Sequence, residues 1–225
     1  MDLTTDTKPN AQQTLADLAV RIPAASRVFR QAGLDYCCHG NRSVASACAE
    51  KGLDPDALLS RIQQETSPDG PAWKDRSIPE LIQHILTRYH ESHRREVPEL
   101  LQMAERVEEK HREKAGCPHG LAEHLRGVHE SLLSHMEKEE QILFPMILAG
   151  HGQRAFGPIQ VMETEHQDHG ASLARTRELT GDFQAPDEAC PTWRALYLRL
   201  EELEGDLMDH ISLENNVIFP RVLFE

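Results

Sequence analysis

Aromatic residues make up only 5% of the 225 positions. So few rings exclude a base-stacking platform for single-stranded nucleic acid. Positive charge is also scarce: 24 Lys and Arg stand against 37 Asp and Glu, a net charge of −13. Phosphate-rich partners and anionic lipid need a basic face, so nucleic acid and membrane are excluded as partners. The most apolar stretch, Ile142 to Gly150, is nine residues long and contains Pro145. About 20 apolar residues are needed to cross a bilayer. The start, Met1-Asp2-Leu3-Thr4-Thr5-Asp6, has no basic segment followed by an apolar one, so no secretory leader is visible and a cytoplasmic location is expected. Five cysteines with no CxxC spacing suggest thiols in a reducing compartment and no disulfide framework. Runs of alternating β-branched residues, the mark of strands, are nearly absent.

Hydrophobic residues at 39% and charged residues at 27% provide enough apolar material for a core. The unusual abundance is histidine, with 13 copies. Histidine is the commonest metal ligand, so its placement is the main question.

Residues 1 to about 11 are polar, include Pro9, and read as a loose tail. Short helical patterns fill 12–66: Leu15, Leu18 and Ile22 ahead of Pro23; Val28 and Phe29; then Leu58, Leu59 and Ile62, with Asp54 as N-cap and Pro55 at the first helical position. The turn cluster Ser67-Pro68-Asp69-Gly70-Pro71 marks a linker. The division expected is a small helical domain over 1–66, a linker over 67–77 and a second domain over 78–225. In that second domain the pattern changes to four long amphipathic stretches. The first starts at Ser77-Ile78-Pro79-Glu80, and Pro98 is expected to bend it. The others span about 119–148, 158–180 and 191–219. The fold class expected is all-α, with an antiparallel four-helix bundle.

The bundle sequence repeats itself. His135, Glu139, Phe144 and Pro145 align with His210, Glu214, Phe219 and Pro220 at an offset of 75, and His90 and His93 align with His166 and His169 at an offset of 76. Each half is thus an HxxH helix followed by an HxxxE helix. The second stretch carries a stripe of Leu121, Leu125, Val128, Leu132, His135, Glu139, Ile142 and Met146; the fourth carries Leu196, Leu200, Leu203, Leu207, His210, Glu214 and Val217. Steps alternate between three and four, so both HxxxE pairs occupy core positions. Leu86, His90, His93 and Val97 follow the same rule, as do Ile159, Met162, His166, His169 and Leu173.

A lone histidine on an apolar face is ordinarily a hydrogen-bonded core residue. Two buried glutamates are harder to explain, because a carboxylate removed from water costs several kcal/mol unless a cation compensates it. None of these stripes contains Lys or Arg, and a metal is the simplest source of positive charge. Residues four apart face the same way on a helix, so His90, His135, Glu139, His166, His210 and Glu214 can converge. The twofold repeat predicts two equivalent metals, each with two histidines, bridged by both glutamates. Imidazole and carboxylate ligands in a bundle suit iron or manganese. His93 and His169 are expected to donate hydrogen bonds around this cluster, and His84, His111, His119, His124, His129 and His151 to lie on the surface or in loops. The adjacent pair Cys37-Cys38, before His39-Gly40, reads as a reactive redox or iron-handling dithiol exposed at a helix start. Cys48, Cys117 and Cys190 belong to no motif and read as structural.

The Asp35-Tyr36-Cys37-Cys38-His39-Gly40 segment, the stretch from His135 through Ile147 and the stretch from Asp209 through Arg221 closely resemble the iron–sulfur cluster repair di-iron proteins, the Repair of Iron Centers family. The resemblance spans about 12–225. It implies a ScdA-type N-terminal domain joined to a hemerythrin-like bundle with a non-haem di-iron centre, oxo- or hydroxo-bridged. The family's ligand pattern falls on the same six residues, and its cysteine pair on Cys37 and Cys38. Implied functions are repair of clusters damaged by oxidative or nitrosative stress, through iron donation, with nitric oxide reduction or oxygen and nitric oxide binding as alternatives. Implied partners are damaged iron–sulfur proteins, nitric oxide or oxygen, and a second copy in a homodimer. Oxygen carriers of the hemerythrin fold use five histidines, two carboxylates and an HxxxxD pair; two even HxxxE pairs depart from that pattern. A structural zinc bundle is the remaining alternative.

Overall fold

The computed structural model describes residues 8–65 and 73–224. The Ser67–Pro71 turn cluster and the first seven residues of the expected tail lie outside the described residues. Eight helices account for the described chain, with two short 3-10 turns at Trp73–Asp75 and Gly152–Ala155. It divides into two compact units, Met1–Arg76 with Ile211–Ile218, and Ser77–His210 with Phe219–Glu225.

Four short helices build the first unit: α1 (Leu15–Arg21), α2 (Pro23–Gln31), α3 (Val44–Lys51) and α4 (Pro55–Glu65). Thr14 and Ser43 cap α1 and α3 through their hydroxyls, which accept the backbone N–H groups of Asp17 and Ser46 at 3.1 Å. Pro23 cannot supply the N–H that α1 would need to continue, so the chain turns there and α2 starts. Leu15, Leu18, Val28, Phe29, Tyr36, Val44 and Ile62 are buried and form the core. The described end of the expected loose tail is pinned: Ala45 N donates to Ala11 O at 2.9 Å and Val44 N to Gln13 O at 3.0 Å. These bonds satisfy first-turn amides of α3, which sequence polarity alone did not show.

Four long helices follow, all within the second unit except the Ile211–Ile218 stretch of the last, which is grouped with the first. The first, α5, joins Ile78–His84, a π turn Ile85–His90 and Glu91–His111. Ser77 and Glu80 form a reciprocal capping box at its start, and Pro98 lies inside it. The second, α6, joins Leu121–Lys138, a π turn Glu139–Leu143 and Phe144–Leu148. α7 is Phe156–Thr180. α8 joins Pro191–Leu213, a π turn Glu214–Ile218 and Phe219–Phe224. The four-helix bundle expected from the patterning is present. Among the described residues no helix is long and apolar enough to cross a membrane.

The π turns correct two of the expected stripes. Each inserts a residue into the helical repeat and rotates what lies beyond it. Ile142 is 51% exposed, and Leu143, Phe144 and Ile147 are buried instead. In α5 the buried positions are Ile85 and Tyr89, and Leu86 is only half-buried. The α7 stripe has no π turn and holds as expected: Ile159, Met162, His166, His169 and Leu173 are all buried.

Candidate metal centre

Three of the six singled-out residues sit at the edge of a π turn: His90 closes the one in α5, Glu139 opens the one in α6, and Glu214 opens the one in α8. All six are buried, with exposures of 0% for His90, Glu139, His166, His210 and Glu214 and 1% for His135.

They converge as two groups. His90, Glu139 and His210 form one; His135, Glu139, His166 and Glu214 form the other, with ligand atoms within 4.8 Å of one another. Each imidazole pair takes one ring from each half of the repeat. His90 Nε2 lies 3.2 Å from His210 Nε2, and His135 Nε2 lies 3.2 Å from His166 Nε2. Glu139 faces both pairs, Oε2 at 3.3 Å from His90 Nε2 and Oε1 at 3.3 Å from His135 Nε2.

This donor set fits a metal. Bonds of about 2.1 Å from one ion place neighbouring donors roughly 3.0–3.4 Å apart, the spacing found here. Two imidazoles are also fixed from behind. His90 Nδ1 lies 2.7 Å from Glu140 Oε1, which Arg94 holds at 2.8 Å, and His135 Nδ1 lies 2.9 Å from Oε2 of Glu165, whose Oε1 Lys138 contacts. A ring whose Nδ1–H donates to a carboxylate presents the bare lone pair of Nε2 inward. Burial, together with the charge His90 could carry, pushes the His210 imidazole well below the ordinary histidine range, so that ring is also neutral and able to ligate. Sequence reasoning missed Glu140 and Glu165. Their signal was adjacency, since Glu140 follows Glu139 and Glu165 precedes His166, but no stripe argument separates such a residue from an ordinary surface acid.

His93 does not donate around the cluster as expected, and Nε2 of His169 does not either. Neither ring nitrogen of His93, nor Nε2 of His169, makes a hydrogen bond. Their rings pack instead: His93 stacks on Tyr89 at 6.2 Å and lies 5.6 Å from His210, and His169 meets His135 edge-on at 4.9 Å. One turn along the same stripe, a side chain meets ring faces and edges rather than nitrogens. Burial pushes both imidazoles down, His169 to about 3. His124 is not a free surface residue either. Its Nε2 lies 3.1 Å from Ser172 O and 3.0 Å from Thr176 Oγ1.

Cys37 and Cys38 lie in a turn ahead of α3, not at its first turn, which corrects the expected helix-start placement. Asp35 Oδ1 organises that turn, accepting from Cys38 N at 2.9 Å, Cys37 N at 3.1 Å and Cys37 Sγ at 3.3 Å. The sulfurs are 3.6 Å apart. Cys37 is buried, and the Cys38 thiol beside it, then burial and the Asp35 carboxylate, push its pKa well up, opposite to the activation expected. Gly40 is required here, since a Cβ would stand 2.3 Å from Tyr36 O. Within the same unit, Asn215 Nδ2 donates to Cys37 O at 3.0 Å and Asn216 Nδ2 to Tyr36 O at 3.1 Å. Asp35, Cys37 and Cys38 also bring potential ligand atoms within 4.8 Å of one another.

Residues 81–222 match the hemerythrin HHE cation binding domain, and residues 11–66 match the ScdA_N domain, described as a domain of unknown function. The iron-sulfur cluster repair protein YtfE of Dickeya chrysanthemi is 48% identical over 216 residues, covering 94% of this chain and 96% of that protein. The YtfE proteins of Citrobacter koseri and Escherichia coli O1:K1 are 48% and 47% identical over 212 residues, with the same coverage. Cation binding by the bundle follows from the domain match together with the inward-facing donors. The chain belongs to the family of the YtfE iron–sulfur cluster repair proteins, with a hemerythrin HHE bundle following a ScdA_N segment.

Proposed function

We propose that this chain repairs iron–sulfur clusters damaged by oxidative or nitrosative stress, and that it does so by donating iron from a two-iron centre. The carrying observation is the shared position of Glu139, whose two oxygens each lie 3.3 Å from an imidazole nitrogen of a different histidine pair. One carboxylate facing two pairs suits two ions side by side. His90 and His210 would hold one, His135, His166 and Glu214 the other, with Glu139 between them. Bound iron supplies the cargo and its redox chemistry. The protein residues keep the donors neutral or bridging, and Glu140 and Glu165 orient two of the rings. The names and near-complete coverage of the relatives support repair as the activity.

In this reading, 1–66 is a small helical domain, 67–77 a linker and 78–225 the metal-holding bundle. Cys37 and Cys38, beside Asp35, serve as thiols for outgoing iron or for redox. Clients are damaged iron–sulfur proteins.

The test incubates iron-loaded protein with a hydratase whose cluster has been destroyed by nitric oxide. Activity should return faster than with the same amount of free ferrous iron, and Glu139→Gln should abolish that advantage. Equal recovery from free iron would refute donation.

A further inference from the structure

Away from the metal centre, the second unit brings a thiol and an imidazole together. His111, the last residue of the Glu91–His111 segment, lies with Nε2 3.2 Å from Cys190 Sγ. Cys190 directly precedes Pro191, the first residue of the 23-residue segment Pro191–Leu213, and its carbonyl accepts Arg194 N at 3.0 Å in the first turn. The thiol therefore sits at the N-terminus of a long helix, in contact with a nitrogen base, and it is partly exposed. These are the surroundings in which reactive cysteines occur, and inert structural ones are buried in apolar surroundings.

The neighbours keep this pair in register. The Trp193 ring, fully buried, packs 5.1 Å from the His111 ring and fixes its plane. Lys114 Nζ donates to Glu188 O at 2.9 Å, and Arg194 Nη2 donates to Asp187 O at 2.7 Å, tying down the loop that carries Cys190. His111 Nδ1 is buried and makes no hydrogen bond. No carboxylate orients this imidazole as Glu140 and Glu165 orient the metal-facing rings, so the arrangement is a dyad, unlike the triad of a hydrolase. Of the other four thiols, Cys37, Cys48 and Cys117 are buried, and burial pushes Cys48 and Cys117 up; Cys38 is partly exposed, in the turn that Asp35 organises.

We propose that Cys190 and His111 form a peroxide-reactive thiol–imidazole pair, a modification site separate from the metal centre. With the ring hydrogen on Nδ1, Nε2 takes the thiol proton. The sulfur then attacks one oxygen of a hydroperoxide, an S–O bond forms and the O–O bond breaks. The leaving hydroxide or alkoxide recovers the proton from the imidazolium. The balance for hydrogen peroxide is one thiol and one peroxide giving one sulfenic acid and one water; sulfur is oxidised and peroxide oxygen reduced. A small or slender hydroperoxide fits a thiol that is only partly exposed.

The test treats full-length, metal-loaded, air-oxidised protein with hydrogen peroxide in the presence of a sulfenic-acid trap, and follows each cysteine by peptide mass spectrometry. Cys190 should be trapped at least tenfold faster than Cys37 or Cys38. His111→Gln should slow Cys190 about a hundredfold or more, the range expected for loss of a positioned base, and leave Cys38 unchanged. Circular dichroism and metal content identify a variant that has folded. Comparable rates at Cys190 and Cys38 in the native protein would overturn the proposal without any variant. So would a folded His111→Gln protein that reacts at the native rate.

Discussion

Glu139 touches both histidine pairs and Glu214 belongs to one group, so their removal has unequal consequences. If the proposed two-ion centre holds, Glu139→Gln should release both ions, and Glu214→Gln should loosen chiefly the one at His135 and His166; metal content after dialysis against a chelator reads the difference. Glu140→Gln and Glu165→Gln act one bond further out, on His90 and His135. Each should weaken cation binding about 10- to 100-fold, through a different histidine pair, as measured by competition with a calibrated chelator. At the cysteine turn, burial of Cys37 at 3% exposure against the partly exposed Cys38 gives an order within the pair: iodoacetamide should alkylate Cys38 before Cys37, as peptide mapping after short exposure will record. The six inward residues could be named from the sequence because buried charge is rare and their spacing matched a helix face. Glu140, Glu165 and the His111–Cys190 contact could not, since each depends on which neighbour lies across from it.

At the scale of the element, periodicity and caps located the start of the first long helix and the bounds of the other three to within a few residues, but not the π turns in three of them. A π turn leaves no compositional mark. Its trace is a burial stripe that breaks in space, as at Ile142 and Leu86, while the spacing along the sequence runs on unbroken. Local signals worked where the chemistry was local: Ser77 with Glu80, and Asp54 ahead of Pro55, whose carboxylate accepts Asp56 N at 2.9 Å. Ser77→Ala should lower stability by about 1 kcal/mol, seen as a shifted urea midpoint with metal content unchanged. His124 ties α6 to α7 through Ser172 O and Thr176 Oγ1. Burial holds its pKa below 6.5, against the opposing pull of the Ser172 bond. The unfolded chain thus takes up a proton near pH 6.5 that the folded chain refuses. The stability owed to neutral His124 is whole above that pH and is lost as pH falls below it. His124→Gln should flatten the decline in urea midpoint between pH 7.5 and 5.5; an unchanged slope would contradict this reading.

The bundle as a whole buries six polar ligand candidates in its core, where apolar side chains would otherwise pack. Part of its folding energy must then come from the bound cation, by mass action on the folded state. Stripping the metal should lower the melting temperature by several degrees, and restoring ferrous iron should recover it. Scanning calorimetry of the loaded and stripped protein checks both halves of this expectation.

Sequence alone determined the helical class, the four amphipathic rods, the duplication and the six inward ligand candidates, because each rests on spacing along one chain and on the cost of burying charge. Tertiary structure decided which rings pair, which carboxylates stand behind them, how the π turns rotate the stripes beyond them, and that Cys190 meets His111 across 79 positions. Those outcomes depend on distances between helices, which no periodicity within a helix encodes.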